Sequence, residues 1–217
     1  MTTKKEREEL RRQKTLELYS FMRDIGGHGV VAGLDEVGRG PLAGPLTCAA
    51  VVLPDDPRII GLDDSKKISP KRRVELAAQV REHALGIGIA HVEPDELDAC
   101  GMAASLRMCM KRALAACGME PDCVLLDGNP LHIHPKEINI IKGDGKAACI
   151  AAASIVAKVT RDALMEQYAL EYPGYGFESN KGYGSKAHIA AIKELGPCPI
   201  HRMSFLGNIL REQGTLL

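Results

Sequence analysis

Residues 30–54 read VVAGLDEVGRGPLAGPLTCAAVVLP. An apolar run, Val30–Leu34, leads into two adjacent carboxylates, Asp35 and Glu36. A Gly38-Arg39-Gly40-Pro41 turn follows, then a second apolar run, Ala49–Leu53, within a strand read over Leu46–Leu53. Apolar runs of this length bounded by Gly and Pro are the pattern of buried strands. The short connection predicts that the two strands are antiparallel neighbours. Two acids at the end of a buried strand are costly. Out of water, each is penalised by several kcal/mol unless it is paired or holds a metal. The stretch therefore demands positive charge from elsewhere in the chain.

Outward from this stretch, strand and helix patterns alternate. Toward the N-terminus, Thr3–Asp24 is dense in Lys, Arg and Glu with interspersed Leu, Phe and Met, the pattern of a solvated amphipathic helix docked through its last turns. Gly26-Gly27-His28-Gly29 breaks it. This divides the chain into a charged helical appendage, 1–28, and a main domain, 29–217, with a C-terminal helical part. Toward the C-terminus, Ser69-Pro70 starts a helix through His83, with Ser at the N-cap and Pro at the first helical position. Ala84–Val92 reads as a strand. Pro94–Ala99 and Gly101–Cys117 read as helices, the second stopped by Gly118. Cys123–Leu126 and Glu137–Ile141 read as strands, Lys146–Tyr168 as a long, largely buried helix, and Tyr172–Gly184 as a loop. Ser185 caps a helix through Leu195, and Gly196–Leu217 is irregular and then helical. A hairpin start followed by helix–strand units predicts an α/β fold: a five-stranded mixed sheet flanked by helices, plus C-terminal helices.

Three strand ends carry acids: Asp35 and Glu36, Asp127, and Asp144. Ligand sites of α/β sheets lie beyond the carboxyl ends of the strands. If these strands are neighbours, four carboxylates converge, and they cannot all stay ionised without cations between them. Hard oxygen donors suit Mg²⁺ or Mn²⁺. Two such ions ~3.5–4 Å apart hydrolyse phosphodiesters, one activating the water and the other stabilising the leaving oxygen. Strand residues alternate between faces, so Asp35 and Glu36 serve one site only if the strand ends or bulges there. Taken alone, Asp144 also reads as a helix N-cap and Asp127 as a turn former.

Composition bounds the rest. The 217 residues are 45% hydrophobic and 26% charged, as in an ordinary globular protein of one domain with an extension. No apolar run approaches the ~20 residues of a membrane span, and no signal peptide precedes the first strand. A cytoplasmic protein is expected, and a monomer. The seven cysteines, with no CxxC pair, read as reduced core thiols. Formal net charge is zero, so local basic clusters must carry any nucleic-acid contact. Lys66, Lys67, Lys71, Arg72 and Arg73, and then Lys142, Lys146, Lys158 and Arg161, stand near the acid-bearing ends. Each group reads either as a solvated face or as a phosphate contact. His132 and His134 could bind a metal, but an isolated HxH is usually structural. Tyr183, between Gly182 and Gly184, could pack in place or stack on a sugar or base.

In chain order, DEVGRGPLAGP, DDSKKIS, LLDGNP, IKGDG, AAASIVAKVTRD, KGYGS and HRMSF resemble the motifs of ribonuclease HII, the bacterial type 2 ribonuclease H. The resemblance runs from about Val30 to Phe205. It implies a ribonuclease-H-like fold and a site of Asp35, Glu36, Asp127 and Asp144 binding Mg²⁺ or Mn²⁺. It favours catalysis for Asp144 and leaves Asp162 structural. It implies an endoribonuclease that degrades RNA paired with DNA and nicks duplex DNA 5′ of a single embedded ribonucleotide. Gly38, Arg39 and Gly40 would read the 2′-OH by close backbone approach. Tyr183 would pack on the sugar of the following deoxynucleotide, and Lys66 and Lys158 would act as phosphate or active-site cations. Ser185 stands where Thr is common in the family, with the hydroxyl kept. A small-molecule phosphohydrolase would need neither GRG nor the loop tyrosine. A non-catalytic nucleic-acid-binding module would not need all four acids.

Overall fold

Strand β1 (Val31–Val37) runs through the middle of a five-stranded sheet. The computed structural model describes residues 3–211. Beside β1 lie β2 (Leu46–Val52) and, beyond it, β3 (Gly86–Val92), both antiparallel to their neighbours. On the other side lie β4 (Cys123–Asp127) and β5 (Glu137–Ile140), both parallel. The order is β3-β2-β1-β4-β5, the mixed sheet that the hairpin and the helix–strand units predict.

Alternation sends successive side chains of β1 and β2 to opposite faces, and both faces are covered. Val31, Ala49 and Val51 face a core built with α5 (Ala148–Glu171) and α2 (Pro70–His83). Ala32, Leu34, Cys48 and Ala50 face a second core under α4 (Met102–Ala116), which follows the short α3 (Pro94–Cys100). Central strands buried on both faces read as continuous apolar runs for this reason. Gly33 sets the spacing on the α5 side: a Cβ there would overlap the backbone of Cys149 and Ile150. Ala148 to Ala157 are all buried, as their composition requires.

Helix α1 (Lys4–Gly26) starts at a capping box between Thr3 and Glu6. Its last turns dock as expected, with Leu18, Tyr19 and Met22 at 3% exposure or less and within the α5-side core. Burying each such side chain is worth roughly 1.5–3 kcal/mol.

Three expectations change. The Tyr172–Gly184 segment is not all loop, because α6 (Phe177–Asn180) turns inside it to bury Phe177. The long helix begins at Ala148 rather than Lys146, because Gly143–Gly145 forms a separate 3-10 turn after Lys142 in the left-handed region. Asp144 lies in that turn and makes no N-cap, since the helix is capped by Ala147 without a side-chain bond. After α7 (Lys186–Leu195), the tail holds a 3-10 turn, Met203–Phe205, and α8 (Gly207–Arg211). The helical expectation past residue 211 lies outside the described residues. No helix among those described is long and apolar enough to cross a membrane.

Candidate active site

The last bonded pair between β1 and β4 is Leu34 with Leu126. Asp35 and Asp127 are the next residue on each strand, so the parallel register sets them side by side. Asp35 lies two residues beyond Gly33 and shares its face, toward α5. There, hydrogen bonding to Ser154 favours its charged form. Its Oδ1 also accepts the N–H of Glu36 at 2.7 Å. Asp127 Oδ1 accepts the N–H of Gly143 at 2.6 Å, which brings the 3-10 turn and Asp144 to the same edge.

β1 has no bulge at its acids. Its register with β2 continues through Asp35–Ala49 and Glu36–Cys48 to Val37–Thr47. Nor does the strand end there, since β1 runs on to Val37: only the pairing with β4 stops at Leu34, and the end of β1 projects past that neighbour. Asp35 and Glu36 both line one cavity of about 320 Å³ there, although their side chains leave the strand on opposite faces. Asp127, Lys66, Lys158 and Tyr183 line it too, with Ser65, Arg73 and Ser154.

The electrostatics are those of crowded acids. Burial pushes the Asp35 carboxyl well above its ordinary range, and Glu36 and Asp127 add to the rise. Burial also raises Glu36, against the pull of Arg39, whose Nη1 lies 3.3 Å from its Oε1. Asp144, 7% exposed, is raised by burial, then by Asp64 and Asp127, and is partly relieved by Lys66. The cations are held in turn. Lys158 Nζ lies 2.7 Å from Asp162 Oδ1 on the same helix, and Arg73 Nη1 lies 3.9 Å from Asp162 Oδ2. Asp162 thus pairs with two cations that line the cavity and does not line it itself.

Tyr183 is 43% exposed at the cavity rim. Gly38, Arg39 and Gly40 form the turn directly after β1, and they do not line the cavity itself. Arg161 departs from its sequence reading. It is fully buried and donates to backbone carbonyls, so no phosphate can reach it. His134 Nδ1 accepts the N–H of Lys136, and among the described residues no His, Cys, Asp or Glu group closes a metal cage, HIH included. Ser65, Ser154 and Asp64 are the members that the sequence does not single out. Ser154 had a signal: a lone hydroxyl within Ala148–Ala157 needs a partner, and Ser65 lies 2.9 Å from it. Asp64 had none beyond its place in the DDSKK loop.

The donor set is one-sided: carboxylate oxygens on the sheet edge and an open cavity opposite. Mg²⁺ is commonly held by one or two carboxylates, with waters and substrate phosphates completing its shell. Crowded, partly desolvated carboxylates with raised pKa values fit such an ion, because its charge relieves their repulsion.

The family model for ribonuclease HII matches residues 32–207. The ribonuclease HII of Listeria monocytogenes serotype 4b is 45% identical over 202 residues, 92% of this chain and 77% of the relative. That of Ruminiclostridium cellulolyticum is 46% identical over 213 residues, 97% of this chain and 82% of the relative. Among solved structures, the ribonuclease H2 of Pyrococcus horikoshii superposes with a TM-score of 0.73 at 27% identity, over 86% of this chain and 99% of that one.

Proposed function

The chain belongs to the ribonuclease HII family, an enzyme of the ribonuclease H type acting on RNA–DNA hybrids, and from that premise we propose its finer chemistry. It nicks duplex DNA on the 5′ side of a single embedded ribonucleotide as well as cutting long hybrids. Asp35, Glu36, Asp127 and Asp144 would hold two divalent ions, Mg²⁺ or Mn²⁺. When bound, the ions supply a water acidic enough to attack at neutral pH and positive charge on the leaving oxygen. Water adds to phosphorus in line, the P–O3′ bond breaks, and the products are a 3′-OH and a 5′-phosphate.

The chain's own residues orient and neutralise. Lys66 and Lys158 face the cavity and balance charge on the phosphate, and Asp162 keeps Lys158 from swinging away. Gly38-Arg39-Gly40 lets the nucleic-acid backbone approach closely enough for peptide groups to meet a 2′-OH. The Tyr183 ring packs on the following sugar, where a 2′-OH would collide. The enzyme works as a monomer in the cytoplasm, where its seven cysteines, all free, stay reduced.

The observation that carries this reading is the shared cavity of Asp35, Glu36, Asp127, Lys66, Lys158 and Tyr183 at the carboxyl ends of β1 and β4. The test is a DNA duplex with one ribonucleotide, incubated with protein and Mg²⁺ or Mn²⁺. A nick 5′ of the ribonucleotide is expected, absent without metal. No nick with either metal would overturn it.

A further inference from the structure

Among the described residues, Arg161 and Arg202 are the largest fully buried side chains, each with 0% exposure. All three nitrogens of each guanidinium donate to backbone carbonyls. In Arg202, Nε bonds the carbonyl of Gly44 at 2.9 Å, Nη1 that of Arg39 at 3.1 Å, and Nη2 that of Gly38 at 2.6 Å. In Arg161, Nε bonds Pro45 at 2.9 Å, Nη2 Ala43 at 3.0 Å, and Nη1 Lys181 at 2.9 Å. Two cations from distant parts of the chain therefore grip one loop, Gly38–Pro45. One of them also grips the start of the Lys181–Gly184 loop.

The two loops are joined directly as well. The N–H groups of Leu42 and Ala43 both donate to the carbonyl of Gly182, at 2.8 and 3.3 Å. A Cβ at Gly182, whose φ is +84, would overlap the Ala43 carbonyl, and one at Gly38 would overlap Arg161 Nε. The Tyr183 ring lies over the Arg161 guanidinium, 6.0 Å from centroid to Cζ. Beyond it, the N–H of Arg202 donates to the carbonyl of Leu42, and that of Gly44 to the carbonyl of Ile200, both at 2.8 Å.

Burying two cations costs several kcal/mol each unless their donors are met. Here every guanidinium nitrogen makes a bond, and to carbonyls that an irregular loop leaves without ladder partners. A lysine would bring the same charge, but only a planar fork holds three carbonyls in a fixed geometry.

We propose that Arg161 and Arg202 are positioning residues for substrate discrimination: they lock the Gly38–Gly40 turn and Tyr183 into one frame, fixing the spacing of the two substrate readers before nucleic acid arrives. The inference rests on the reading that those two elements face the ribose and the next sugar. A pre-set spacing spares the ordering cost of two loops on binding. It also makes the RNA-to-DNA step a length that the protein measures.

The experiment compares R161K, R202K and Y183A with the parent enzyme on two substrates, a duplex with one embedded ribonucleotide and a long RNA–DNA hybrid. The readout is the ratio of kcat/KM between them, with the melting temperature measured in parallel. In R161K and R202K the ratio is expected to fall about tenfold toward the hybrid, less than the roughly hundredfold that a full 1 Å misplacement can cost. A lowered melting temperature with an unchanged ratio would make the arginines merely structural and overturn the inference. If neither lysine variant folds, G182A, which presses the two loops apart with both arginines intact, is read instead, with the same expected fall and the same overturning result. Y183A separates the two levels. If it lowers the ratio and the arginine variants do not, this inference fails alone. If Y183A leaves the ratio unchanged, the reading beneath it fails too.

Discussion

Asp127 Oδ1 accepts the N–H of Gly143 at 2.6 Å, joining the end of β4 to the 3-10 turn that carries Asp144. That carboxylate oxygen thus fixes the backbone immediately before Asp144. Asp127→Asn keeps an oxygen that can accept this bond and removes the charge. Cleavage should fall by more than about a hundredfold, beyond what loss of an outer partner of a metal site costs. The melting temperature should shift by only a few degrees. Steady-state cleavage and thermal unfolding on the same sample check this, and an active Asp127→Asn enzyme would remove Asp127 from the site.

Asp35 is buried, and desolvation and its acidic neighbours raise it well above its ordinary pKa. A charge there destabilises the metal-free fold. Asp35→Asn should therefore melt at a higher temperature than the parent protein in chelator. Added Mg²⁺ should stabilise the parent by mass action and leave the variant nearly unmoved. A metal-induced shift of equal size in both proteins would count against Asp35 as a ligand.

Tyr183 presents its ring to the cavity rim while its backbone is held from behind. His188 Nδ1 lies 2.9 Å from the Tyr183 carbonyl, and His188 Nε2 lies 3.1 Å from His201 Nε2. The N–H of Cys198 donates to His201 Nδ1 at 2.9 Å. These partners assign the protons: His201 carries its proton on Nε2 and donates to His188, which carries its proton on Nδ1 and donates to Tyr183. Tyr183→Ala should hence lose activity at a single ribonucleotide while circular dichroism and melting stay near those of the parent. A collapsed spectrum would show that the ring is packing instead.

The same histidine pair predicts a pH dependence. Burial lowers both histidines, and His188 beside it helps to hold His201 down to about 4. The unfolded chain then binds protons that the folded chain refuses. The contribution is present above the unfolded value of about 6.5 and is lost as pH falls through about 4. His201→Gln should flatten the decline of stability between these limits, read from denaturant midpoints at stepped pH. An unchanged slope would mean that other groups set the acid limit.

Gly33 offers a contrast to the site residues, because its role is contact alone. Gly33→Ala drives a methyl into the Cys149–Ile150 backbone and must separate β1 from α5. A loss of about 1–3 kcal/mol or more is expected from such overpacking. Denaturant unfolding checks it, and a variant as stable as the parent would show that the helix can move aside at little cost.

Much of this protein was written locally in its chain. The apolar runs around Asp35 and Asp127 marked the strands, Gly38–Pro45 marked a hairpin connection, and Ser69, Ser185 and Gly118 marked helix ends, because each signal depends only on neighbours a few residues away. The acids at the strand ends were legible for the same reason. The tertiary structure alone decided what met them. The order β3-β2-β1-β4-β5 puts Asp35 beside Asp127, and the early end of the β1–β4 ladder opens Glu36 to the same cavity without any kink. Packing of α5 on Gly33 brings Ser154 to Asp35. It also turned Arg161 from an expected phosphate contact into a buried tie between two loops. No local pattern could give these, since a side chain's partner across more than a hundred residues depends on how whole elements stack. Sequence period fixes which face a residue takes, and only packing fixes what waits on that face.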